Sequence, residues 1–322
     1  MQDSDPSDDH LELELVTEDF EEALDLMRGA GFRLNVIFPA DEPQSAVLSH
    51  GGKRVCLRTP GAPSLPAELP RFEPRFVLTP AGTHSAEGRA GMLYRDLIPG
   101  RLGGRYIVSH ITIEQGGPVA DWVHYHRIAL QVIMVRRGWV RVVYEGEGEP
   151  FVMEAGDMVL QPPLIRHRVL ESSPGLEVIE ISAPALHATF ADHELELPTA
   201  KQEQRDFGGQ NFLRHIAAKV PWTPFGDAEA QETAMRDATG GIAELRIIRP
   251  GGASSISFEP MRGELVFGFV LEGTARLDHG GVSKLRPADA FVIPPDEAWS
   301  LGDMSGDLRL LHATTARLDA GA

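Results

Sequence analysis

One cysteine, Cys56, stands in 322 residues, so no disulfide forms within the chain, and the composition fits a reducing compartment such as the cytoplasm. No stretch approaches eighteen apolar residues, which argues against a membrane-spanning helix. Basic residues are scarce: 30 Lys and Arg face 47 Asp and Glu, a net charge of -17 that disfavours nucleic acid and anionic membranes as partners. Eleven carboxylates and no Lys or Arg fall in the first twenty-five residues. That start is the reverse of a basic secretory signal, and it reads as a solvated acidic tail leading into a helix face. Nucleophile-elbow, phosphate-loop and paired Cys/His patterns are also missing.

Turn formers are plentiful instead, with 33 Gly and 24 Pro. They favour a strand-rich, turn-rich architecture. Leu11, Leu13 and Leu15 alternate as a strand, and Thr17 reads as the N-cap of a helix carrying Phe20, Ala23, Leu24 and Met27 on one face. Strand-like runs near 32–38, 45–49 and 53–58 complete a βαβββ unit within residues 1–60. Prolines 60, 63, 66, 70 and 74 mark a linker over 61–75. From roughly 76 to 185, short apolar runs alternate with turns and no long helical period intervenes, as in an antiparallel sandwich or barrel. A polar stretch over 186–240 has some helical character, and a second strand series follows to 318.

The two series repeat each other. Val135-Arg136-Arg137-Gly138 matches Val270-Leu271-Glu272-Gly273, and Gly156-Asp157-Met158-Val159-Leu160-Gln161-Pro162-Pro163 matches Ala288-Asp289-Ala290-Phe291-Val292-Ile293-Pro294-Pro295. The first copy alone carries histidines suited to a metal. His124 and His126 flank Tyr125, and on a strand that spacing puts both imidazoles on one face. His167 follows the Pro162-Pro163 turn, where a neighbouring strand can bring it to the same point. Three neutral imidazoles suit Fe, Ni, Cu, Zn or Mn and leave coordination positions open. The bland alternative is three strand histidines held by hydrogen bonds. Tyr125 faces the other way, and Met134, Met153 and Met158 read as core filler. Arg127, Arg141 and Arg166 are candidates to fork onto a substrate carboxylate, although a lone arginine is more often a solvated charge. Gln161 is a candidate pocket residue by alternation with Val159.

This pattern resembles the cupin superfamily. Its first motif, two His one residue apart followed by a Glu and a Gly, falls on His124, His126, Gln131 and Gly138; its second falls on Gly156, Pro162 and His167. The resemblance spans roughly 76–318 and implies a mainly β chain, with two jelly-roll barrels following a small α+β module. Barrel 1 (76–200) holds a divalent metal and barrel 2 (201–318) is degenerate. Two departures stand out. Gln131 replaces the usual Glu, and either ligates through its carbonyl or hydrogen-bonds a water or substrate. In barrel 2, Glu259, Met261, Val266 and Trp299 align with the ligand positions. A three-His set is similar to that of gentisate-type bicupin dioxygenases rather than to Glu-ligated decarboxylase types. It implies Fe(II), a small oxygen-chelating substrate, and Gln131, Arg141 and Arg166 as catalytic candidates. A metal-dependent isomerase, cyclase or lyase, or a non-catalytic binding cupin, is the alternative. Bicupins commonly associate, so a homo-oligomer is expected. Replacing Gln131 by Glu is expected to tighten binding of hard cations. The βαβββ unit resembles one half-module of the glyoxalase/vicinal-oxygen-chelate fold, with His10 as its candidate ligand.

Overall fold

The computed structural model describes residues 13–83, 85–87, 92–203 and 205–318; His10 and Leu11 lie outside the described residues. The chain opens with β1 (Leu13–Val16), α1 (Phe20–Gly29), β2 (Arg33–Phe38), β3 (Ser45–His50) and β4 (Lys53–Arg58). The cap of α1 is Asp19 rather than Thr17. Its carboxylate accepts from the Glu22 N–H at 3.1 Å, while Thr17 Oγ1 sits one turn earlier and accepts from the Asp19 N–H at 3.2 Å. Phe20 and Leu24 bury the inner face of α1 against Leu34, Ile37, Ala46, Leu48 and Leu57.

This small unit is not a separate sheet. Strand Thr189–Ala191 pairs on one side with β2 and on the other with strand His124–His126. Hydrogen bonding thus runs unbroken from β1 to the wall of the first barrel, in a ten-stranded sheet.

Each barrel sets a seven-stranded sheet against its wall, which belongs to the ten-stranded sheet in barrel 1 and is a four-stranded sheet in barrel 2. In the first barrel, strand Leu130–Arg137 lies between strands Met158–Leu160 and Leu176–Ala183. Alternation gives it two buried faces. Gln131, Ile133 and Val135 look into the barrel, while Leu130, Val132 and Met134 join the cluster shared with barrel 2. Two buried faces explain its almost continuous apolar run. Barrel 2 repeats this with strand Val266–Glu272, whose Phe267 and Phe269 are fully buried in the shared cluster. Each such ring is worth roughly 1.5–3 kcal/mol of burial.

The barrels exchange strands. Val77–Thr79 pairs with strand Ala290–Val292 of barrel 2, and Leu213–His215 pairs with the equivalent strand Met158–Leu160 of barrel 1. The repeated Asp holds each exchange in place. Asp157 Oδ1 accepts from the Ala217 N–H at 2.9 Å and Oδ2 from Glu154 N–H at 3.1 Å. Asp289 does the same, with the Ala81 N–H at 2.6 Å and the Arg286 N–H at 2.8 Å. The hydrogen-bonded sheets therefore cross the sequence boundaries at 76 and 201.

Little of 186–240 is helical. Its described elements are short strands, a 3-10 turn at Ala217–Lys219 and the single turn Met235–Ala238. Pro198, Pro221, Pro224 and the Gly208-Gly209 pair interrupt any longer helix. Between the barrels, Arg105 forks onto Glu264 at 2.7 and 2.8 Å and also donates to the Leu318 carbonyl, and Tyr106 donates to Glu264 at 2.9 Å. No helix among the described residues is long and apolar enough to cross a membrane.

Candidate metal centre

The three histidines meet inside barrel 1. His124 lies directly opposite His167 in the antiparallel ladder, and their ring centroids are 4.2 Å apart. His126, two residues along and on the same face, is 5.3 Å from His124 and 5.4 Å from His167. One nitrogen from each ring falls within 4.8 Å of the others, and all three residues are buried. The Pro162-Pro163 turn delivers His167: Leu164 adopts φ 66° and donates its N–H to the His126 carbonyl at 3.0 Å, stitching the turn to the first histidine strand.

Backbone contacts select the tautomer. Nδ1 of His124 faces the Trp122 carbonyl at 2.8 Å, that of His126 the Ala188 carbonyl at 3.2 Å, and that of His167 the Ile165 carbonyl at 3.0 Å. A carbonyl only accepts, so the proton resides on each Nδ1 and the lone pair on each Nε2. Asp121, whose Oδ1 is 3.4 Å from His124 Nδ1, reinforces the choice. Three lone pairs directed by backbone are the donor set a divalent transition metal requires, so these residues fit one.

Gln131 is buried beside them. Its Nε2 donates to Glu180 Oε1 at 2.8 Å, and Ser182 Oγ donates to the same oxygen at 2.9 Å. Sequence reasoning missed Glu180. Its signal was the parity of strand Leu176–Ala183, where Val178, Glu180 and Ser182 share the inward face and Glu180 lies opposite Ile133. Also missed was Tyr144, whose ring stacks on His167 at 5.5 Å. Burial first, then the nearby Glu180 and Asp121 charges, pushes its phenol far above the usual range, so it stays protonated.

Two chambers meet at Tyr94, His126, Gln131 and Glu180. The first, about 120 Å³, is walled mainly by aliphatic side chains, including Ile111, Ile133, Val142, Met153, Leu176 and Val178. Gln161 lines it, as its alternation with Val159 suggested. The second, about 50 Å³, is polar and takes in Asp41, Ser109, His187 and Thr189. The N-terminal module closes it: Ala40 N–H donates to the His187 carbonyl at 3.0 Å. Thr189 Oγ1, buried without a protein hydrogen-bond partner, belongs to this wall.

The arginine candidates lie elsewhere. Arg141 is on the outer face of its strand, exposed and 3.1 Å from Glu171. Arg166 pairs with Asp192 at 3.0 Å and lies over the Tyr125 ring, which itself stacks on Phe190. Arg127 sits over the Phe190 ring. Strand parity is the reason: Arg127 and Arg166 adjoin the inward His126 and His167, and Arg141 lies between the inward Val140 and Val142, so all three face outward.

Barrel 2 fills the equivalent position with rings. Phe258 pairs with Trp299 as His124 pairs with His167, so the register puts Phe258, not Glu259, at the first ligand position, and Pro260, not Met261, at the second. The Phe258 and Trp299 rings stack at 3.7 Å, with His312 beside them. His312 occupies the place of Glu180, because Gly268 opposes it as Ile133 opposes Glu180. Burial lowers its imidazole to about 3.

Two jelly-roll barrels in one chain, one holding three inward histidines and the other filled by aromatics, are the fold of the bicupins. No protein-family profile and no curated protein matches the sequence. Solved structures do. YlbA from E. coli is similar over 80% of this chain and 97% of its own, at 11% identity and a TM-score of 0.54. Salicylate 1,2-dioxygenase from Pseudaminobacter salicylatoxidans is similar over 78% and 87%, at 16% identity and a TM-score of 0.56. Oxalate decarboxylase from Bacillus subtilis is similar over 80% and 78%, at 10% identity and a TM-score of 0.52. At such identities the likeness is one of fold.

Proposed function

We infer that the protein is a metal-dependent enzyme acting on a small oxygen-chelating molecule, with dioxygen as co-substrate. The observation that carries this reading is the set of three Nε2 lone pairs, each aimed by a backbone carbonyl on the opposite ring nitrogen. A bound divalent ion supplies Lewis acidity, a template for a chelating substrate and, as iron(II), redox chemistry with dioxygen. The aliphatic chamber holds the substrate's apolar body and keeps bulk water from it. Tyr144, kept protonated, offers a hydroxyl donor beside His167. Gln131 is held in one orientation by the hydrogen bond its Nε2 donates to Glu180, which leaves its carbonyl oxygen as an acceptor. A fold shared with a salicylate dioxygenase supports oxygen chemistry by analogy.

The test is elemental analysis of protein purified without added metal, followed by oxygen uptake after loading with iron(II), using benzene-1,2-diols and diketones. About one metal ion per chain and substrate-dependent oxygen consumption are expected. Metal without oxygen uptake, but with substrate turnover, would instead establish a lyase or isomerase.

A further inference from the structure

The polar chamber beside His126 has a wall with hydrogen-bonding capacity to spare. Strand Thr189–Ala191 presents Thr189 to it, opposite His126 in the ladder, and sends Phe190 to the outer face with Tyr125. Thr189 is 1% exposed, and its Oγ1 has no hydrogen-bond partner. His187, two residues earlier, lines the same chamber, with its ring at 86° to that of His126 and the centroids 5.3 Å apart. Its Nδ1 meets the Pro184 carbonyl at 3.0 Å, so the proton sits there and Nε2 keeps a lone pair. Ser109 adds a second hydroxyl to the wall. Along strand Ile107–Ile113, Ile107 and Ser109 line this chamber, and Ile111 and Ile113 line the aliphatic one. The barrel interior therefore changes from polar to apolar within a few residues, and His126 and Gln131 belong to both parts.

We propose that the polar chamber is the subsite for a hydroxyl substituent of the substrate, with Thr189 and His187 as its specificity-determining residues. The proposal rests on the metal-enzyme reading above and deepens it. A hydroxyl carries one donor and two acceptor positions. It suits a wall that pairs an imidazole nitrogen able only to accept with a threonine hydroxyl able to donate. A chelator seated at the three histidines, with its apolar body in the aliphatic chamber, meets this polar space at His126 and Gln131. Size decides how such a molecule divides. About 50 Å³ takes a hydroxyl or a few waters and no ring, so the ring or chain stays in the chamber of about 120 Å³. A buried hydroxyl without a partner is a cost that a bound hydroxyl relieves. A methyl group in the same place displaces water and leaves Thr189 and the His187 Nε2 unpaired. The N-terminal module takes part, because Ala40 and Asp41 complete the wall and Arg101 holds the Asp41 carboxylate at 2.7 Å.

Matched pairs of probes that exchange a methyl group for a hydroxyl test this. Benzene-1,2,3-triol and 3-methylbenzene-1,2-diol form an aromatic pair, and 1-hydroxypentane-2,4-dione and hexane-2,4-dione an aliphatic one. Titrated into nickel-loaded protein, the hydroxyl-bearing member of each pair should bind at least about tenfold more tightly, after correction for its affinity for free nickel(II). Thr189→Val, which keeps the shape and removes the hydroxyl, should shrink that ratio about tenfold, and Thr189→Ser should keep most of it. His187→Phe, which keeps a ring beside His126 and removes Nε2, should shrink it likewise. Methyl members binding as tightly as their partners to the wild type assign the chamber to water alone and overturn the proposal with no variant needed. An unchanged ratio in a cooperatively melting Thr189→Val or His187→Phe overturns it too, as does an equal loss in Thr189→Ser. Metal content measured on the same samples separates the two inferences. Full metal with the wrong ligand ranking removes only the subsite, whereas absence of metal removes both.

Discussion

At the scale of single residues, the site depends on which proton sits where. Each imidazole is committed by a backbone carbonyl, so removing one ring removes one donor without freeing another to replace it. His126→Ala is expected to abolish stoichiometric metal in elemental analysis. In thermal melts it should also lose the ligand-linked stabilisation, about 2.7 kcal/mol for wild type at a hundredfold excess of metal over Kd. An unaltered metal content would contradict the assignment. Gln131 requires a revised expectation. From sequence, a Glu there adds a welcome charge to the metal; in the structure it faces Glu180 across the 2.8 Å now spanned by an amide hydrogen bond. Gln131→Glu is therefore expected to cost about 1–3 kcal/mol in metal-free protein through an unmade hydrogen bond and like-charge contact. Denaturant titration of the double variant Gln131→Glu with Glu180→Gln should recover most of that loss, because the amide and the carboxylate have only changed places.

At the scale of elements, the repeated small-residue–Asp turn shows how one short motif serves both barrels. Asp157 and Asp289 each bond their own turn and the strand arriving from elsewhere in the chain. Deleting either carboxylate leaves two backbone N–H groups without their acceptor in the protein. Asp157→Ala and Asp289→Ala are each expected to lower stability by about 1–3 kcal/mol per lost acceptor, measured by urea unfolding. Asp157→Ala alone should loosen Leu213–His215, read as faster amide exchange there. The aromatic filling of barrel 2 is equally local. Phe258 and Trp299 stack where barrel 1 sets two histidines, and Gly268 leaves room for Phe291: a Cβ there would lie 2.1 Å from that ring.

At the scale of the whole molecule, the exchanged strands and the Arg105–Glu264–Tyr106 cluster make the barrels one unit. Glu264→Ala removes the carboxylate that balances the buried Arg105 charge, a loss of roughly 3–5 kcal/mol, and the chain should melt in one calorimetric transition that this variant shifts without splitting. Two resolved transitions in the wild type would show the barrels to be independent. Acid sensitivity also belongs here. His312 is lowered to about 3 and His110 to about 4, burial being the first cause in each. Both stay neutral in the folded protein where the unfolded chain takes up protons. Stability falls as pH drops from about 6.5, the ordinary histidine value, toward those lowered values. For His312 the loss is roughly 2 kcal/mol at pH 5. His312→Phe should remove about that part of the difference between unfolding curves at pH 7 and pH 5; a slope as steep as wild type would mean the imidazole titrates normally in the fold.

The period-two runs, the His124-Tyr125-His126 spacing, the Pro-Pro turn before His167 and the doubled motif were legible in the chain itself, because each is local: alternation and turn chemistry act over a few residues. That was enough for two β barrels, their order and the three-histidine centre. The outward placement of Arg141 and Arg166, the Gln131–Glu180 pairing, the Phe258 register and the strand exchange were settled only in three dimensions. Each depends on which strand lies beside which and in what register, over separations of tens to more than two hundred residues. A register slip of one residue turns every side chain to the opposite face, so local pattern identifies a strand's two faces while packing alone decides what each face meets.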